Sequence, residues 1–176
     1  MIPLWLVLGV IVLQRLGELA LAHRNTRRLL AAGGREVGAG HYPLLVGLHA
    51  AWMVAIAGTI PLEAPAEPAV ILMLAALQAF RLWVIGSLGR FWTTRIVTVP
   101  EAPLVARGPY RLVRHPNYLV VAGEIALVPL AFGAWPLAVA FSAANGALLA
   151  LRVAVEEAAL ASRPRLTARG TTGAAG

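Results

Sequence analysis

Apolar and polar positions divide the chain into five apolar stretches, at 2–22, about 43–60, about 69–89, 118–132 and 136–151, joined by short polar segments. A helix rises 1.5 Å per residue, so the first three stretches reach, or nearly reach, across a hydrocarbon core of about 30 Å. The last two are shorter, covering about 22 to 24 Å, and only Gly133 and Pro136 break the sequence between them. They predict a tilted or re-entrant helical hairpin. The pattern as a whole predicts an all-α fold, a polytopic transmembrane bundle of about five helices whose last two form a short hairpin. It reads as one domain over 1–160, with no internal repeat, followed at 161–176 by a disordered tail of Thr, Gly, Ala and Arg with little to pack. The first stretch is expected to be a retained helix, because its arginines follow the apolar run, whereas a secretory signal carries its charge before it.

Charge gives these helices a direction. Arg24, Arg27, Arg28 and Arg35 follow the first stretch, and Arg90, Arg95, Arg107, Arg111 and Arg114 follow the third, against the lone Glu101. The loop PLEAPAEP at 61–68 holds two Glu and no Arg. Since positive residues mark the cytoplasmic side of short loops, the amino terminus and 61–68 are expected outside. Segments 23–42, 90–116 and 152–169 are expected inside.

Composition agrees with a membrane protein, since 59% of the 176 residues are hydrophobic and only 13% charged. All basic residues are Arg and all acidic ones Glu, with no Lys, Asp or Cys, which excludes disulfides, thiolate chemistry and Cys-ligated metals. Richness in Ala, Arg, Gly and Pro without Lys points to a GC-rich gene and a bacterial cytoplasmic membrane. The net charge of +7 lies between apolar runs rather than among exposed aromatics, so nucleic acid is not the expected partner.

Several polar residues interrupt this pattern. Gln14, Arg15 and Glu18 lie in the first stretch, Gln78 and Arg81 in the third and Glu124 in the fourth. Ionisable groups at such positions either serve function or pair with one another, and Arg81 with Glu18 or Glu124 would satisfy the second reading. In the fifth stretch and beyond, Ser142, Asn145, Arg152 and Glu156 share one helical face, which predicts a ligand-facing stripe, with an interfacial Arg152–Glu156 pair as the plainer reading. The segment RGPYRLVRHPNY at 107–118 sets His115 and Tyr118 between fixed prolines, able to aim them into a cleft beside the helix ends. A basic loop resting on headgroups would need its arginines but not His115-Pro116-Asn117-Tyr118. His23, His41 and His49 show no metal-ligand spacing and read as interfacial or packing residues, and no metal is expected. The five Trp read as interfacial anchors, Trp92 in LGRFWTTRI being the one nearest candidate chemistry.

The ordered set of RGPYR at 107–111, RHPNY at 114–118, an apolar hairpin and R-x-x-x-E-E at 152–157 resembles the isoprenylcysteine carboxyl methyltransferase family. The likeness covers about 90–160, and LGRFWTTRIVTVPEAPLVARGPYRLVRHPNYLVV is similar to a bacterial branch, some of whose members resemble alkylpyrone methyltransferases. The chain departs from the eukaryotic enzymes in being short, with fewer amino-terminal helices. The resemblance implies a membrane methyltransferase using S-adenosylmethionine, with its cofactor site in the last helices and their cytoplasmic loops. It assigns His115, Tyr118 and Arg152 as catalytic, and His115, Tyr118, Arg152, Glu156 and Glu157 as cofactor-binding, to which the polar stripe adds Asn145 and the loop Pro116. The absence of a G-x-G-x-x-G is consistent with a site not built on a Rossmann unit.

The expected acceptor is a carboxylate or acidic hydroxyl on a lipophilic molecule, such as a lipid-like small molecule or a prenylated thiol-derived compound. A carboxylate is ionised at neutral pH and needs an arginine to position it, whereas a phenol or enol needs a base, for which His115 is the one histidine in the motif. Two rival readings stand beside this one. The first is a non-catalytic membrane protein, a transport subunit or scaffold, whose embedded charges merely pair. The second is a sterol-type reductase using NADPH.

Overall fold

The computed structural model describes residues 2–99 and 105–160. Five helices carry the fold: α1 (Leu4–Ala31), α2 (Tyr42–Thr59), α3 (Pro68–Leu88), α4 (Pro116–Leu130) and α5 (Trp135–Leu160). Short 3-10 turns at Ala39–His41, Gly89–Phe91 and Gly108–Arg111 and two three-residue strands, β1 (Arg35–Val37) and β2 (Ile96–Thr98), complete it. Proline opens α2, α3 and α4 within the first two positions, where its missing N–H has no intrahelical partner to lose.

Four of the helices are long and apolar enough to cross a membrane, while α4 has only 15 residues. Large apolar side chains on all five helices are exposed, among them Leu13, Val54, Leu72, Leu119 and Val139. In water such a surface would be prohibitive, and against lipid tails it is the expected one. The protein is a multi-pass membrane protein.

The hairpin of α4 and α5 is unequal. Its second helix continues through Arg152, Glu156 and Glu157 to Leu160, well past the apolar run, just as α1 continues past its own to Ala31. The antiparallel ladder Arg35↔Thr98, Glu36↔Val97, Val37↔Ile96 was not foreshadowed in the sequence. The proposed disordered tail at 161–176 lies outside the described residues.

Two apolar cores hold the bundle. The larger gathers Leu4, Leu8, Ile11, Trp52, Ile56, Leu74, Ile125 and Val128 near the end away from the strands. There the chain is also tied through its backbone. Leu4 and Trp5 donate to Ala64 O and Leu62 O at 3.2 and 3.0 Å, Ala66 N donates to Ile2 O at 2.9 Å, and Glu67 N to Ala131 O at 2.7 Å. These bonds satisfy amides that the first turns of α1 and α3 leave open. The smaller core, around Ala22, Val84 and Trp92, lies at the other end. Gly123 lets α4 close on α3, since a Cβ there would stand 2.8 Å from Leu77 Cδ2.

Between the two cores lies a polar layer. Arg81, wholly buried, donates through Nη1 to both oxygens of Glu18 at 3.2 and 3.3 Å and through Nη2 to Glu124 at 2.7 Å. Arg15 bonds the same two carboxylates, and Gln14 and Gln78 fill remaining sites at 2.6 to 2.9 Å. Two guanidinium groups face two carboxylates, so the layer is neutral and nearly saturated. The pairing expected of Arg81 with one glutamate is made with both, so these side chains link α1 to α3 and α4 alongside the apolar contacts of the larger core.

Candidate functional site

At the strand-bearing end, Gly108–Arg111 docks on the last turn of α3. Gly108 adopts φ 56°, in the left-handed region, and a Cβ there would meet Ser87 Oγ at 2.1 Å. Arg107 Nε donates to Ser87 O at 2.7 Å, and the amides of Leu112 and Val113 donate to Pro109 O at 3.0 Å. The chain leaves this turn, takes an extended-to-bridge conformation at His115 and enters α4 at the buried Pro116. Proline disfavours the α region for the residue before it, so His115 is held at the boundary of α4 rather than inside it.

That boundary turns His115 and Tyr118 toward α5. Their rings stack, with centroids 5.3 Å apart and planes 14° from parallel. Tyr118 donates its phenolic proton to Glu156 Oε2 and accepts a hydrogen bond from Arg152 Nε at 2.9 Å. Arg152 Nη2 donates to Thr94 O at 2.7 Å, and its guanidinium stands 5.7 Å from the centre of the Tyr118 ring. His115 Nε2 lies 3.3 Å from Glu157 Oε1, and its Nδ1 lies 3.7 Å from Glu156 Oε2. Arg114 adds a bridge to Glu157 at 3.0 Å, exposed enough to contribute little by itself.

The structure therefore brings His115, Tyr118, Arg152, Glu156 and Glu157 into one connected cluster, with Pro116 fixing the helix start beneath it. Asn145 is not part of that network. It lies two helical turns along the same face of α5, about 10 Å deeper, buried, with Oδ1 unpartnered among the described residues. Ser142, one turn deeper still, has a buried hydroxyl in the same condition. Buried polar atoms are nearly always bonded to something, so these two mark a place where a ligand or water belongs.

Other contributors were not singled out in the sequence. Thr94 enters through its carbonyl, which no side-chain pattern announces. Its hydroxyl lies 3.2 Å from Tyr42 Oη, and the neighbouring Arg95 bonds both oxygens of Glu36 at 2.9 Å. Tyr110 is half-buried near Glu156, and burial together with that negative charge pushes its phenol up, leaving it protonated at any physiological pH. Trp92, which the sequence did single out, is buried in the smaller core rather than in the cluster, its carbonyl taking a bond from Asn25 Nδ2 at 2.9 Å.

A family model described as isoprenylcysteine carboxyl methyltransferase (ICMT) matches residues 69–162, more than half the chain and every helix that contributes to the cluster. The chain belongs to the ICMT family. An uncharacterized protein of Bacillus subtilis (strain 168), YpbQ, is 35% identical over 160 residues, covering 89% of this chain and 95% of that one. No solved structure matches. Membership makes the protein a membrane methyltransferase in general terms. Within the ICMT-matched span, α3 carries the docking turn, α4 carries His115 and Tyr118, and α5 carries Arg152, Glu156 and Glu157, while α1, α2 and β1 lie outside it.

Proposed function

We propose that the protein is an O-methyltransferase that takes its methyl group from S-adenosylmethionine and places it on a carboxylate or acidic hydroxyl of a lipophilic acceptor. We place the reaction at the membrane face that carries the arginine-rich loops, which the positive-inside rule makes the cytoplasmic one. The observation that carries this reading is the Arg152–Tyr118–Glu156 chain, stacked against His115 at the mouth of α4 and α5.

The donor set fits the cofactor. Arg152 commits Nε and Nη2 to protein partners, which leaves Nη1, without a partner among the described residues, to receive a carboxylate. Glu156 accepts from Tyr118 through Oε2 and offers Oε1 to an ammonium or ribose hydroxyl. The unpartnered Asn145 Oδ1 offers an acceptor at depth for an N–H or O–H. When bound, S-adenosylmethionine supplies a methyl on a sulfonium centre that leaves as a neutral thioether.

The protein's share of an in-line displacement is alignment and exclusion of water. Tyr118 fixes Arg152 and Glu156 relative to each other, and the peptide of Thr94 holds Arg152 from the opposite side. If the acceptor is a hydroxyl, His115 takes its proton. With Nε2–H donated to Glu157, the lone pair of Nδ1 faces the cluster and is the basic atom. If the acceptor is a carboxylate, no proton is transferred and His115 serves as a wall. An amphiphile suits either case, with its polar end among the basic loops and its tail between exposed apolar helix faces.

Calorimetric titration of detergent-purified protein with S-adenosylhomocysteine tests the reading, with NADPH as the comparison ligand. Saturable binding of the first, lost in Glu156→Gln with the far-ultraviolet spectrum unchanged, is expected. Binding of NADPH instead would overturn it in favour of a reductase, and binding of neither in favour of a non-catalytic role.

A further inference from the structure

The carboxy-terminal third of α1 presents two different faces. Ala22, Asn25 and Leu29 are buried against the bundle. Ala20, His23, Arg24, Arg27, Arg28 and Ala31 are exposed on the other side, at spacings of three and one that keep them on one helical face. No carboxylate pairs with Arg24, Arg27 or Arg28 among the described residues; Arg35, Arg90 and Arg111 also lack one but are scattered over separate loops, whereas these three stand in a row on one helix. A row of three guanidinium groups on one helical face concentrates positive charge at a single point of the surface.

Helix length sets the depth of this row. At 28 residues, α1 is about 42 Å long against a hydrocarbon core of about 30 Å, so its last turns stand in the headgroup layer. Guanidinium groups at that level bind phosphodiester oxygens in pairs, and the small side chains of Ala20 and Ala31 leave both ends of the row unobstructed. We propose that this face of α1 is a binding site for the headgroup of an anionic phospholipid, and that its occupant braces the methyltransferase site.

The bracing follows the opposite face. Asn25 Nδ2 donates to Gly89 O and Trp92 O at 3.1 and 2.9 Å, so α1 grips the start of the segment that runs into Thr93, Thr94 and β2. Gly34 N bonds Leu29 O at 2.9 Å, and β1 then pairs with β2. Thr94 O receives Arg152. A lipid that fixes the end of α1 thus restrains the peptide that positions Arg152. Lipid binding stands without the proposed function; only the bracing rests on it.

Native mass spectrometry of the full chain released from detergent, with phosphatidylglycerol and phosphatidylcholine added, tests the site. Selective retention of phosphatidylglycerol is expected. Replacing Arg24, Arg27 and Arg28 together by Gln should weaken it by about a hundredfold, each arginine contributing roughly fivefold at an anionic surface. Replacing the exposed Arg35, Arg90 and Arg111 by Gln removes the same charge and should have little effect. Equal losses in the two triple variants, equal retention of both lipids, or displacement by millimolar inorganic phosphate would overturn the proposal. Hydrogen exchange then reads the bracing without any cofactor. Amides of 89–98 should exchange more slowly in phosphatidylglycerol than in phosphatidylcholine nanodiscs, and Asn25→Ala should abolish the difference while keeping the lipid. No difference in the wild-type protein would overturn the bracing.

Discussion

Tyr118 is the residue on which the cluster turns, because one hydroxyl bonds both the cation and the anion of the site. Tyr118→Phe keeps the stack on His115 and removes both bonds. It is expected to weaken S-adenosylhomocysteine binding by about ten- to a hundredfold, the range for a hydrogen bond to a charged group. The titration described above checks it. His115→Ala separates the two acceptor chemistries when a lipophilic phenol and a lipophilic carboxylic acid are assayed in parallel. With the phenol, kcat should fall by roughly 10² to 10⁴ while cofactor binding holds, and with the acid kcat should change little. A parallel loss with both would assign His115 to positioning alone. At this scale the sequence was informative where chemistry resides in side chains. His115, Tyr118, Arg152, Glu156 and Glu157 stand out by type and spacing and are found together. Thr94 does not, because it acts through a peptide oxygen that every residue possesses. Asn145 was legible as part of a stripe, deeper than Arg152 by seven residues, but the sequence did not show that its Oδ1 is buried without a partner among the described residues.

At the scale of elements, the site depends on a turn of four residues. Gly108 is the one position in Gly108–Arg111 where a side chain is barred twice over, by φ 56° and by Ser87. Gly108→Ala is expected to displace the turn and with it the entry to α4, abolishing cofactor binding while circular dichroism still shows an intact helical bundle. Ser87→Gly in the same chain would relieve the clash but not the backbone strain, which costs about 1–3 kcal/mol, so rescue should be incomplete. Five helices were legible because each carries an apolar run of fifteen residues or more. Their ends were less so. Arg24 and Arg152 stop the apolar runs of α1 and α5 without stopping the helices, since a charge at a membrane boundary leaves the backbone hydrogen bonds untouched. The β1–β2 ladder was invisible because three residues are too few to establish an alternating pattern, and what pairs them is the approach of two loops far apart in sequence.

Taken as a whole molecule, the bundle is organised in layers: a tied apolar end, a polar middle and a functional end. The polar middle is expected to be indispensable as built yet replaceable as a unit. Arg81→Leu leaves Glu18 and Glu124 to share Arg15 as their one cation, one buried negative charge in excess, and removing one partner from a buried ion pair costs about 3–5 kcal/mol; the thermal midpoint in detergent should fall sharply. Arg81→Met combined with Glu124→Gln leaves Arg15 facing Glu18, one charge of each sign, and should recover part of that loss. A double variant no better than Arg81→Leu would show that both ion pairs are needed. The tie at the far end has a mechanical consequence. Backbone bonds stitch the start of α1 to residues 62–66 and the start of α3 to Ala131, so helices that sway pivot there. Over the roughly 42 Å length of α1, a lean of about 3° at the knot would become about 2 Å of travel at the far end, so the bonds of Asn25 to Gly89 and Trp92 and the β1–β2 ladder are the clasp that keeps that end shut.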